Sequence, residues 1–138
     1  MAENLLMTDI TLNWYDNGAF TEGLREIFKK KRKTRTFITM RLGDKWARRL
    51  IGASSSPIGN VINISISNDP EKPNVIGQAM VASVRVGYVE RMTTDRAILA
   101  KNIGAKTWRH ALKDMANAYD IPKVSPNMIL TVMELLPI

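Results

Sequence analysis

With 138 residues and 45% hydrophobic content, the chain is long enough to bury a core of its own and too apolar for global disorder. It has no Cys and one His, which excludes a disulfide framework, a thiol nucleophile and a thiolate metal site, and leaves a structural metal site short of ligands, so neither metal nor cofactor is expected. The net charge of +7 is local: residues 28–50 hold ten of the twenty Lys and Arg with one acid, Asp44, whereas residues 1–27 are acidic and 51–138 nearly balanced.

Residues 1–7 read as a loose lead-in. Ile10, Leu12 and Trp14 then alternate with Thr11 and Asn13, the period of a strand with one face buried, and Asp16, Asn17 and Gly18 turn the chain. A short helix is expected from Thr21 as N-cap, with Leu24, Ile27 and Phe28 inward, Glu22 near its start and Lys29, Lys30 and Lys31 at its end, as the helix dipole favours. Thr34 to Met40 is rich in β-branched and aromatic residues and predicts a strand. Asp44 to Ile51 predicts a two-turn helix with Asp44 as N-cap, Trp46 and Leu50 on one side, Lys45, Arg48 and Arg49 on the other, and Gly52 as C-cap.

Residues 53–59, ASSSPIG, form a loop by composition and lack a phosphate-cradling Walker pattern. Ile62, Ile64 and Ile66 alternate with Asn63, Ser65 and Ser67, the cleanest strand signal in the chain, and a Pro-containing turn follows at 68–74. A long strand is expected over Val75–Val89, with Ile76, Met80, Ala82, Val84 and Val86 on one parity, Val81 on the other, and Gly77 and Gly87 as candidate bulges or bends. A helix beginning at Thr93 or Thr94 and stopping at Gly104 is expected next. Another holds Trp108, Ala111, Leu112, Met115 and Ala118, and Met128 to Leu135 supplies the last strand. His110 falls off the apolar stripe and reads as a surface residue.

The order β-α-β-α-β-β-α-α-β does not repeat as βαβ units, so a doubly wound parallel sheet is excluded in favour of an α+β fold. Five strands in a small mixed sheet can close, or nearly close, into a β-barrel flanked by short helices, which also disposes of exposed edges. A single domain over residues 1–138 is expected. No apolar run approaches the roughly 20 residues of a membrane span and no signal-peptide layout opens the chain, so a cytoplasmic location away from membranes is expected.

Lys33-Thr34-x-Thr36, placed after a strand and a helix ending in an apolar pair, together with Gly59 leading into Val61, Ile62, Ile64 and Ile66 and a closing strand, resembles the ASCH domain, a PUA-like β-barrel family. The resemblance covers residues 8 to 136 through a short, degenerate motif. It implies a barrel whose cleft handles RNA or a modified nucleoside, with Lys33 as cleft lysine and Thr36 as cleft hydroxyl. The chain departs from enzymatic relatives at Ile38, where they tend to carry a charge, and at residues 100–106, where a carboxylate is expected and none occurs; Glu90 and Asp95 are only near in sequence.

Binding asks less of these residues than chemistry does. Lys29, Lys30, Lys31, Arg32, Lys33, Arg35 and Arg41 can neutralise phosphates, and Lys45, Arg48 and Arg49 extend the surface. Phe37, Trp46 and Trp14 are candidates for stacking on an unpaired base, against the alternative that Phe37 and Trp46 anchor the core. Nucleic acid, as RNA or another single strand, is therefore the expected partner. A hydrolase using Lys33 and Thr36 is the first alternative: crowded cations favour a depressed lysine pKa, which would let Lys33 serve as general base to the Thr36 hydroxyl, but the acid such a site needs is missing. A metal-dependent nuclease has only Asp69 and Glu71 as a close carboxylate pair. The other alternative is a protein module docking on an acidic partner. The acidic N-terminal 28 residues could fold over the basic run or pair with it in a second copy, so both monomer and homodimer are open.

Overall fold

A computed structural model of the chain describes residues 8, 10–16, 18–29, 35–53 and 58–138. The expected lead-in at 1–7 and most of the loop at 53–59 lie outside the described residues, as do Lys30, Lys31, Arg32, Lys33 and Thr34. The elements are β1 (Thr11–Trp14), α1 (Ala19–Lys29), β2 (Phe37–Leu42), α2 (Lys45–Ala53), β3 (Val61–Ile66), β4 (Val75–Tyr88), α3 (Val89–Met92), α4 (Arg96–Ala100), α5 (Trp108–Ala118) and β5 (Ile129–Pro137). The five strands form one mixed sheet in the order β1-β3-β4-β5-β2, curled into a half-barrel; β1 runs parallel to β3 and the other pairs are antiparallel.

The long β4 organises the sheet, because its first half pairs with β3 and its second half with β5. The register shifts between Val81 and Ser83, leaving Ala82 as the extra residue of a bulge. This changes the parity expected from sequence: Ala79 and Val81 enter the core ahead of the bulge, and Val84 packs against the same core beyond it, while Val86 is exposed. One inserted residue thus moves the inward face from odd to even positions. The second shift lies opposite Ile64 and Ser65, next to Gly77, where sequence expected a bulge; Gly87 instead lies against Met92.

Both faces of the sheet are covered. On one, Leu12, Phe37, Ile62, Ile64, Val81, Met133 and Leu135 pack with Leu24 of α1 and Leu50 of α2; both leucines are fully buried. On the other, Ile38, Leu130 and Val132 pack with Val89 and Met92 of α3, Ile98 of α4 and Met115 and Ala116 of α5. Each buried leucine of this kind contributes about 1.5–3 kcal/mol through removal of apolar surface from water.

The helix ends explain where sequence reading was displaced. α1 starts two residues before Thr21, which is buried in the first turn, where its hydroxyl donates to Asp16 Oδ1 (2.7 Å). Arg25 holds the same Asp16 (3.0 Å) and Glu22 (2.9 Å). α2 runs through Gly52 to Ala53 instead of stopping there. α4 is capped by Asp95, whose carboxylate accepts from Ala97 N (2.9 Å), and not by Thr93 or Thr94, because α3 occupies the chain just before them. α4 ends at Ala100 rather than Gly104: Asn102 leaves it to bridge Ile38 on the outer edge of β2.

Candidate nucleic-acid interface

The curl of the sheet brings its two edge strands, β1 and β2, towards each other, and Arg41 spans the gap. Arg41 shares the strand parity of Phe37 and Thr39, so its side chain points to the α1/α2 side. Nη1 and Nη2 donate to the Asn13 carbonyl oxygen of β1 (3.3 and 3.4 Å), and Nε donates to Thr39 Oγ1 (3.2 Å). The guanidinium lies over the Trp14 ring, 4.7 Å from its centroid. Burial pushes its pKa down and no carboxylate among the described residues pairs with it, but a guanidinium stays protonated across the neutral range.

This seam opens into a cleft of about 360 Å³. Thr11, Asn13 and Tyr15 of the β1 segment form one side, Arg41, Trp46 and Arg49 another, and Pro70 and Pro73 the rim. Trp46 is half-buried against the core, with the Arg49 guanidinium 5.0 Å from its ring centroid. Asn13 is locked, its Nδ2 donating to the Ser67 carbonyl (2.9 Å) and its Oδ1 accepting from Ser65 (2.7 Å). Among the described residues, no acid lines the cleft. The walls therefore combine aromatic rings with two cations.

The other described cations expected from sequence do not line this cleft. Lys45 and Arg48 are exposed on α2, Arg48 in a surface pair with Asp44 (3.1 Å). Lys29 pairs with Glu26 (3.5 Å) at the end of α1, and Arg35 is exposed ahead of β2. Such exposed pairs are weak, about 0–1 kcal/mol, and yield to a stronger anion. Lys30, Lys31, Arg32 and Lys33 lie outside the described residues.

Phe37 does not serve as a stacking platform: it is 3% exposed and meets Phe28 edge-on, centroids 6.1 Å apart, inside the core. Trp46 packs on the core, one of the two roles weighed in the sequence, and also lines the cleft. Tyr15, Thr11, Pro70 and Pro73 were not anticipated; only the curl of the sheet makes them neighbours.

Thr36 faces the opposite side of the sheet. Its hydroxyl donates to Glu134 Oε2, and Lys101 Nζ donates to the same oxygen (2.6 Å). These contacts hold the Glu134 carboxyl below its ordinary range, Lys101 having the larger effect, so it is ionised at neutral pH. Ser83, Arg85, Asp95 and Ile98 line the adjoining groove of about 160 Å³, in which Arg85 pairs with Asp95 (2.9 Å). The segment at 100–106 that lacked the expected acid supplies a lysine, and the carboxylate arrives from β5, 98 residues from Thr36. No local spacing announces that meeting.

His110 is exposed on α5. Among the described residues no group of three or more His, Asp or Glu could hold a metal, and no helix is long and apolar enough to cross a membrane. No family model matches the chain, and no curated protein matches it. Solved structures are similar in fold. An ASCH domain from Lactobacillus crispatus superposes with a TM-score of 0.53 at 12% identity, over 93% of this chain and 79% of that one. A DUF984 protein from Enterococcus faecalis gives 0.55 at 15% identity, over 98% and 78%. The chain therefore has the fold of the small ASCH/DUF984-type β-barrel domains.

Proposed function

We propose that the protein binds single-stranded nucleic acid, RNA in particular, across the β1–β2 seam and the exposed cations of α2. One observation carries this reading: Tyr15, Trp46, Arg41 and Arg49 line a single cleft, with no acid among its described walls. An unpaired base can lie on a ring face while Lys and Arg take the phosphates, a mode that needs no base-edge readout. The locked amide of Asn13 fits such sequence-tolerant binding, since both its ends are already engaged.

Anisotropy titration of a labelled short single-stranded RNA tests the reading. Stacking on an aromatic ring contributes about 1–3 kcal/mol per base, so Trp46→Ala should weaken binding roughly 5- to 150-fold with little change in salt slope. Arg49→Gln should lower the slope of log K against log salt by about 0.7, the loss of one phosphate contact on a single strand. Retention of full affinity by both variants would defeat the proposal. Displacement of the RNA by an acidic protein but by no competing RNA would favour the protein-docking alternative.

The hydrolase alternative has its own observation, the Thr36 hydroxyl against Glu134. A carboxylate already stabilised by Lys101 is a weak base towards a hydroxyl, which places this reading second.

A further inference from the structure

Arg41 brings a permanent positive charge into a partly enclosed seam and meets no carboxylate there among the described residues. Enclosed charges are ordinarily paired, because desolvating an ion without a counter-charge is costly. Among the described residues its charge is compensated by the face of Trp14, by the Asn13 carbonyl, which both Nη atoms share at 3.3 and 3.4 Å, and by the nearby Tyr119. A guanidinium has five N–H donors, and these contacts with Thr39 engage one on each nitrogen, so two remain for a ligand. Arg49 adds a second cation on the same cleft. The nearest turn carries Asp69 and Glu71, but neither lines the cleft, and Asp69 Oδ1 is engaged by the Glu71 backbone N–H (3.1 Å).

We propose that this cleft holds one nucleotide by its phosphate monoester, with Arg41 and Arg49 as the phosphate anchors and the Tyr15 and Trp46 rings as the wall for the base. Two guanidiniums match the dianion of a monoester better than the single charge of an internal phosphodiester. The volume of about 360 Å³ is at the small end of ligand sites and suits one nucleotide rather than a run of them. This narrows the nucleic-acid reading, on which it rests, from a strand lying anywhere along the surface to a phosphorylated strand end or a free nucleotide.

Calorimetry and intrinsic fluorescence, reporting from Trp14 and Trp46, should be run on the whole protein with adenosine 5′-monophosphate, adenosine, inorganic phosphate, and one short RNA bearing either a 5′-phosphate or a 5′-hydroxyl. The monophosphate should bind at least tenfold tighter than adenosine or inorganic phosphate, and Arg41→Gln should abolish the advantage over adenosine. Arg41→Gln also removes the seam contact; Arg49→Gln, at an exposed helix position outside the seam, should reduce the same advantage severalfold. A matching preference for the 5′-phosphorylated RNA assigns the site to strand ends. A monophosphate preference with neither RNA bound keeps the nucleotide site and overturns strand binding. Equal binding of adenosine and its monophosphate, or no binding of either, overturns the inference, even where both RNAs bind.

Discussion

Replacing Gly77 by alanine would insert one methyl group where Phe28 of α1 packs on β4. A Cβ built on Gly77 meets the Phe28 ring at 2.9 Å from Cε1 and 3.1 Å from Cγ, and nearer still to Cδ1. Carbon atoms pack comfortably at about 3.5–4.0 Å, so the ring must retreat by roughly 1 Å. It has little room to do so, since its other side meets Phe37 edge-on and Phe37 is itself buried. Overpacking of this kind costs about 1–3 kcal/mol, which for a chain of this size lowers Tm by roughly 3–12 °C. The sign is diagnostic, because Gly→Ala at an unstrained, uncrowded site stabilises by about 0.4–1 kcal/mol through the unfolded chain. Thermal and urea denaturation of Gly77→Ala, Phe28→Leu and the double variant would form a cycle in which the smaller side chain recovers part of the loss. A raised Tm, or a double variant whose losses simply add, would refute the packing argument.

Two predictions concern acid stability. Glu134→Gln removes the carboxylate shared by Lys101 and Thr36 and should cost about 0.5–1 kcal/mol at neutral pH. Because the folded pKa of Glu134 lies below its ordinary 4.5, the stability it contributes is complete above that value and is lost as pH falls through the depressed one, so the variant's Tm should approach wild type in acid. Asp16 is held at about 2, first by the Thr21 hydroxyl and then by Arg25, against an ordinary 3.8. Asp16→Asn should therefore flatten the acid limb of the Tm–pH profile between those two values, and an unchanged limb would show that Asp16 is not the group titrating there.

Strands with a clean period of two were legible from the chain alone: β1 and β3 fall where Leu12, Ile62, Ile64 and Ile66 place them, and α5 follows its apolar stripe. What defeated local reading was non-local. The bulge at Ala82 turns an apparently mixed strand into two correctly facing halves, and no propensity of an alanine announces it. α3 was missed because four residues are too few for a helical period, and it displaces the next helix start from the threonines to Asp95. At the candidate site, Arg41 and Arg49 belong to the basic run visible in the sequence, and Trp46 packs on the core while lining the cleft. Sequence charge did not separate Thr36 from Arg41, five residues apart, which strand alternation sends to opposite faces. Tyr15 and the two prolines join the cleft through the curl of the sheet together with the parallel pairing of β1 with β3, a contact between distant segments.

The most direct test of the proposed interface is a map of NMR chemical-shift changes as a short single-stranded RNA is titrated into the labelled protein. The largest changes are expected at Thr11, Asn13, Tyr15 and Arg41 and at the Trp46 indole N–H, all lining the cleft at the β1–β2 seam. Changes centred instead on Thr36, Ser83, Lys101 and Glu134, across the sheet, would contradict the proposed interface and move the function to the other groove.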